Sequence, residues 1–264
     1  MQTRTQLKEL LDFYIEAGVD EAIGEVPVNH FDLPAPSPAP AAKIAKPLSA
    51  AQSAPPSSQP SAAPVVSSQA IEEAKKLAAS CSSIEALESA LRSFDGCSLK
   101  KLATNTVFAA GNPKADIMII DRPPASDEDR SGSPFSGPSG DLLLKMLASI
   151  GLTSDDVYLG CCLPWRPPGG RPPTKEEQAI CLPFIRRHIE LAAPHTLIVT
   201  GEAAAFLLEQ KTGINRLRGK WHDLSIGEKN IKTLPIFHPA FLMDHPASKK
   251  QTWADLLNLK AALA

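Results

Sequence analysis

The chain has 264 residues, 27 Lys and Arg against 29 Asp and Glu, a formal charge of -2 and an apolar fraction of 43%. That length holds one or two domains with a sizeable core, and the near-balance of charge neither favours nor excludes nucleic acid, because a basic face can sit on a neutral protein. No run is long enough to span a bilayer, "MQTRTQLKELLDFYIEAG" lacks the apolar core and cleavage site of a signal peptide, and five cysteines, an odd number, fit a reducing cytoplasm better than a disulfide framework.

Along residues 5 to 18, Leu7, Leu10, Leu11, Tyr14 and Ile15 recur at helical spacing and predict a short amphipathic helix. Two uses stay open for it: a piece docking on the main domain, or a peptide that binds a protein partner. Residues 33 to 68 hold nine prolines with Ala and Ser and almost no charge, a composition that predicts an extended, disordered tether. "SQAIEEAKKLAAS" and "SSIEALESALRSF" each place Ser ahead of an acid-rich Leu/Ala period, the pattern of two capped helices. The organisation read from this is a helical segment over 1–32, a linker over 33–68 and one domain over 69–264.

Within that domain "ADIMIID", "VYLGCCL", "HTLIVTG" and "TLPIFHP" are continuous apolar runs, as expected of strands buried on both faces. Helical stretches separate them: "GDLLLKMLASIG", "TKEEQAICLPFIRRHIELA" and "GEAAAFLLEQ", with "SKKQTWADLLNLKAALA" after the last strand. The alternation predicts an α/β fold, a three-layer α/β/α sandwich around a central four-stranded parallel sheet. In such a sheet the strand ends point to one edge, so the loops after Asp121, Leu163, Gly201 and His238 converge and line the site.

Those loops carry the unusual chemistry. "GSPFSGPSG" matches neither the dinucleotide nor the Walker pattern, although small residues ahead of "DLLLKML" leave helix amides free for an anion. Phe135 is either a core plug or an aromatic wall for a flipped base. His238, fixed by Pro239, either caps a helix or donates a hydrogen bond to a ligand. Arg216, Arg218 and Lys220 beside Trp221 form a solvated charge run or a loop that grips phosphates, and Arg166 and Arg171 would extend that basic rim.

Taken in order, "CSLKKLATNTVFAAGNPKADIMII", "DEDRSGSPFSGPSGDLLLKML", "WRPPGGRPPTKEEQAICLPFIRRHIEL", "LRGKWHDL" and "IFHPAFLMDHPASKKQTWADLLNLK" resemble the family 4 branch of the uracil-DNA glycosylase superfamily over roughly residues 94 to 262. The resemblance implies the same α/β/α sandwich and an enzyme of base-excision DNA repair that cuts the N-glycosidic bond of a flipped-out uracil, with uracil-containing DNA, single- or double-stranded, as partner. It implies His238 as donor to the leaving base, Phe135 as stacking wall, and Cys161, Pro124 and Gly137 beside it in the pocket. Asp121 or Asp127 would supply the acid.

Three departures weaken that expectation. Family members read Gly-Glu-Ala-Pro-Gly after the first strand, with the Glu positioning water; here Asp121, Arg122, Pro123, Pro124 and Ala125 stand in those places. Arg122 opposes a developing oxocarbenium ion, and a carboxylate one residue earlier is expected on the other face of the strand. Cys161 stands where an Asn reads uracil, and a thiol lacks an amide's paired donor and acceptor. Of the four cysteines that hold the family's [4Fe-4S] cluster only Cys97 and Cys181 match; Phe94 and Trp165 take the other places, so no cluster and no metal is expected. Reduced uracil excision is the expected function, with a catalytically silent DNA- or protein-binding relative, or a glycosylase of altered base choice, as alternatives.

Overall fold

A computed structural model describes residues 63–263. The N-terminal helical segment and nearly all of the linker expected from the sequence lie outside them. Helix α1 spans Ala63–Ser80 and so begins ahead of Ser68, where the sequence placed the start of the domain. Helix α2, Ile84–Ser93, is capped as expected: the Ser83 hydroxyl accepts the Ala86 N–H.

Strands β1 (Ala109–Gly111) and β2 (Ile117–Asp121) are followed by a short helix α3 (Ser126–Ser131) and by α4 (Pro138–Ser149). Strand β3 (Val157–Cys161) leads into α5 (Lys175–Ala192), and β4 (Thr196–Thr200) into the short helices α6 (Ala203–Leu207) and α7 (Ile214–Leu217). A hairpin of β5 (His222–Ile226) and β6 (Lys229–Ile236) precedes α8 (Pro239–Asp244) and α9 (Lys249–Leu263).

The sheet order is β1-β3-β2-β4-β6-β5. Its four central strands, β3, β2, β4 and β6, are parallel, as expected, but the sheet has six strands, because β1 and β5 add antiparallel edges. The segment "WHDL", read as part of a basic loop, instead enters β5.

Side-chain alternation along β2 divides the core. Met118 and Ile120 join a cluster with Leu87, Phe184 and Ile189 under α2 and α5. Ile117 and Ile119 join Leu143, Leu147, Leu256 and Leu259 under α4 and α9. Each of these buried apolar side chains contributes about 1.5–3 kcal/mol, which is why β2 reads as an unbroken apolar run. Both faces are covered, and the parallel strands are left with one open edge, at their carboxyl ends.

Candidate active site

Strand β2 ends at that edge with Asp121, which is 1% exposed. Asp121 completes the row of Ile117 and Ile119, and its carboxylate collects three donors. Its Oδ2 accepts the Phe135 N–H at 3.0 Å, and its Oδ1 accepts the Arg122 N–H at 2.8 Å. The third donor is His238, whose Nε2 lies 2.8 Å from Oδ1. His238 caps α8, and its Nδ1 accepts the Ala240 N–H at 3.1 Å. A ring nitrogen that accepts holds no proton, so in the neutral imidazole the proton sits on Nε2 and points at Asp121. The displaced acid therefore does meet His238, despite the one-residue shift, because His238 reaches across the strand end.

Arg122 lies on the other side of His238, with Nε 3.4 Å from the same Nε2. Both nitrogens carry hydrogens there, so the contact is an approach of two donors, not a bond. The Arg122 side chain divides two clefts. One, of about 120 Å³, runs along Pro124 and Arg166; the other, of about 360 Å³, is bounded by His238, Phe237 and Phe241. Glu202 borders both. The sequence reading did not single it out, although its position directly after Gly201, at the end of β4, was the available signal.

Phe135 is only 6% exposed and packs in the α4/α9 core cluster, with its ring near-parallel to His238 at 5.8 Å between centroids. Its backbone is left-handed, φ 52. A side chain at Gly140 would put its Cβ 1.6 Å from the Phe135 carbonyl oxygen, so only glycine permits this turn to close. Phe135 and Cys161 line neither cleft; both are buried behind the loop that Arg122 begins. Pro124 is buried in the wall of the smaller cleft. Gly137, φ 73, lies against the Asp127 carboxylate, and Asp127 itself stands half-exposed, 3.5 Å from Arg130, without a bond to His238.

The Cys161 thiol has two acceptors, the carbonyls of Arg122 at 2.9 Å and Leu163 at 2.8 Å. Burial raises its pKa well above the ordinary thiol range, so it stays protonated. It ties the Arg122 loop to β3, spends its single S–H on backbone carbonyls, and is too buried to meet a base edge.

The expected basic rim is only partly available. Arg216 and Lys220 are exposed. Arg218 is instead built into the fold: its guanidinium pairs with the buried carboxylate of Asp255, donates to the Gln251 carbonyl at 2.6 Å and covers the Phe237 ring at 5.1 Å. Arg171 forms a two-pronged pair with Glu177, at 2.9 and 2.6 Å, which holds that carboxyl below its ordinary value. Arg166 borders the smaller cleft, and its Nε is buried without a partner.

Cys97 and Cys181 are 0% and 1% exposed, and their thiols interact. That interaction lowers the pKa of Cys97 and raises that of Cys181. Phe94, 5.1 Å from Phe184, and Trp165, bonded through Nε1 to Thr106, fill the remaining corners. The gap left beside Cys181 measures about 10 Å³. Among the described residues no three ligating side chains converge. Two thiols, two aromatic rings and a water-sized gap do not fit a four-cysteine cluster.

A family profile described as the uracil DNA glycosylase superfamily matches residues 108–257. The chain is 38% identical over 164 residues to a type-4 uracil-DNA glycosylase of Archaeoglobus fulgidus, covering 60% of this chain and 82% of that protein. It is 34% identical over 180 residues to the type-4 uracil-DNA glycosylase of Saccharolobus solfataricus, 66% of this chain and 83% of that one. A third relative of the same description, from Thermotoga maritima, is 34% identical over 162 residues, 61% of this chain and 83% of that protein. With a sheet whose parallel strands carry His238 and Asp121 at their carboxyl edge, and with a family match over more than half of the chain, the chain belongs to the uracil-DNA glycosylase superfamily.

Proposed function

We propose that the protein acts in base-excision DNA repair as a weak uracil-DNA glycosylase, hydrolysing the N-glycosidic bond of a flipped-out uracil far more slowly than a relative that keeps the water-positioning acid and the uracil-reading amide. The observation that carries the reading is the commitment of the His238 Nε2 proton to Asp121 at 2.8 Å. A leaving base needs that proton for its own developing charge, so each excision must first draw it away from a carboxylate. Arg122 adds a cation beside a reaction that builds positive charge on the sugar. DNA is held by the exposed Arg216 and Lys220 together with Arg166, and the setting is cytoplasmic.

The second reading is a catalytically silent DNA-binding relative, favoured by the Cys161 thiol closing on two backbone carbonyls where an amide would face the base. Purified protein incubated with single- and double-stranded oligonucleotides containing uracil separates the two. Abasic sites should form, about a hundredfold or more slowly than with an intact family member. Turnover at an ordinary rate overturns the proposal, and binding without any abasic product moves the assignment to the silent relative.

A further inference from the structure

The 120 Å³ cleft is walled by two proline-rich segments, Pro123 and Pro124 after β2 and Pro167, Pro172 and Pro173 after β3. Proline has a fixed φ and no N–H, so the walls are stiff and the hydrogen-bond donors of the cleft are its arginines. Arg171 is neutralised by Glu177. Arg122 and Arg166 make no ion pair among the described residues. The Nε of Arg166 is buried with no acceptor, and the Nε of Arg122 faces another donor, as described above. Buried donors are almost always satisfied, and a guanidinium is satisfied best by an oxyanion.

We infer that Arg122 and Arg166 form a seat for one phosphodiester of a DNA strand. The inference rests on the DNA-binding reading proposed above and names what this part of the site holds. Among the described residues, Arg122 and Arg166 bring two guanidinium groups without an ion pair to a cleft bordered by one unpaired carboxylate, Glu202, an excess of positive charge that favours an anion. Arg122 and Glu202 border the larger cleft as well, so a strand seated by its phosphate in the first leaves the adjoining nucleotide at the second. Arg122, adverse for bond cleavage, is on this account a strand-holding residue.

The test is affinity for an oligonucleotide without uracil, measured by fluorescence anisotropy against salt for wild type, Arg166→Gln and Arg122→Gln. Each variant should bind about tenfold more weakly, with a log-affinity against log-salt slope smaller by about one. A neutral methylphosphonate moved along the strand should find one position whose replacement weakens wild type by about tenfold and leaves Arg166→Gln unchanged. Among the described residues the Arg166 side chain makes no hydrogen bond or ion pair, so circular dichroism and melting of Arg166→Gln should match wild type. If wild type binds DNA and Arg216→Gln weakens it, while no methylphosphonate position couples to Arg166, the diester seat is overturned and the DNA reading stands. If wild type binds no DNA, the DNA reading fails. In that case an Arg166-dependent shift on titrating dimethyl phosphate, larger than with inorganic phosphate, still supports a diester seat, and its absence overturns it.

Discussion

Replacing Asp121 by Asn conserves shape and removes one acceptor from a buried carboxylate that now serves three donors, the N–H groups of Arg122 and Phe135 and the Nε2–H of His238. Whichever oxygen becomes the amide NH₂ then faces at least one of these donors. Bonds to a charged acceptor contribute about 1.5–3 kcal/mol each and neutral ones about 1, while a buried unsatisfied N–H costs about 1–3. Two weakened bonds and one lost bond therefore sum to about 4 kcal/mol. For a folded domain of this size that lowers Tm by about 10 °C. Urea titration and calorimetry read the loss, with Asp127→Asn, half-exposed and outside this network, expected to change stability by less than about 0.5 kcal/mol. A loss under about 1 kcal/mol for Asp121→Asn would refute the view that this carboxylate organises the sheet edge.

Four further outcomes are expected. Arg122→Glu combined with Cys161→Asn should raise uracil excision above wild type in the abasic-site assay, because it removes a cation adverse to the developing sugar charge and restores an acid and an amide at the two places where the sequence departs from the family pattern. Arg218→Ala strands the buried Asp255 carboxylate, whose pKa burial already raises, and should cost about 3–5 kcal/mol in urea. His188 is buried against Tyr158 and Phe108, and burial lowers its pKa to about 3. The unfolded chain therefore takes up a proton below 6.5 that the folded chain refuses, so stability falls by about 1.4 kcal/mol per unit as pH drops through that window, a slope that His188→Gln should remove. Iron and acid-labile sulfide assays on protein purified without oxygen should find no cluster, since only two thiols meet at its place.

The central strands were legible because burial on both faces leaves no polar residue to interrupt "IMIID" or "TLIVT". The β5–β6 hairpin was not, although Leu224, Ile226 and Ile231 alternate with exposed Asp223, Ser225 and Asn230 around a turn at Gly227. Its alternation was masked by the neighbouring charges, which drew a reading as a phosphate-gripping loop. Convergence of Asp121 and His238 followed from strand polarity, but their bond joins residues 117 positions apart, and no local pattern fixes which atoms meet. Long-range partners also explain the two arginines that proved structural: Arg218 finds Asp255 37 positions away. Arg171 finds Glu177 only six residues on, inside the capping box that Thr174 opens, a pairing the sequence did offer.

The two antiparallel edges have a consequence for how copies of this protein meet. A parallel sheet of four strands would end in two rows of unpaired backbone groups, each a template for another chain. Here one flank is closed by a strand of three residues, too short to recruit a partner, and the other by a hairpin whose outward residues include the Asp223–Lys232 ion pair. Edge-to-edge growth is disfavoured on both sides, so concentrated solutions should stay free of β-type aggregates even though β2 and β4 at the centre of the sheet are almost wholly apolar.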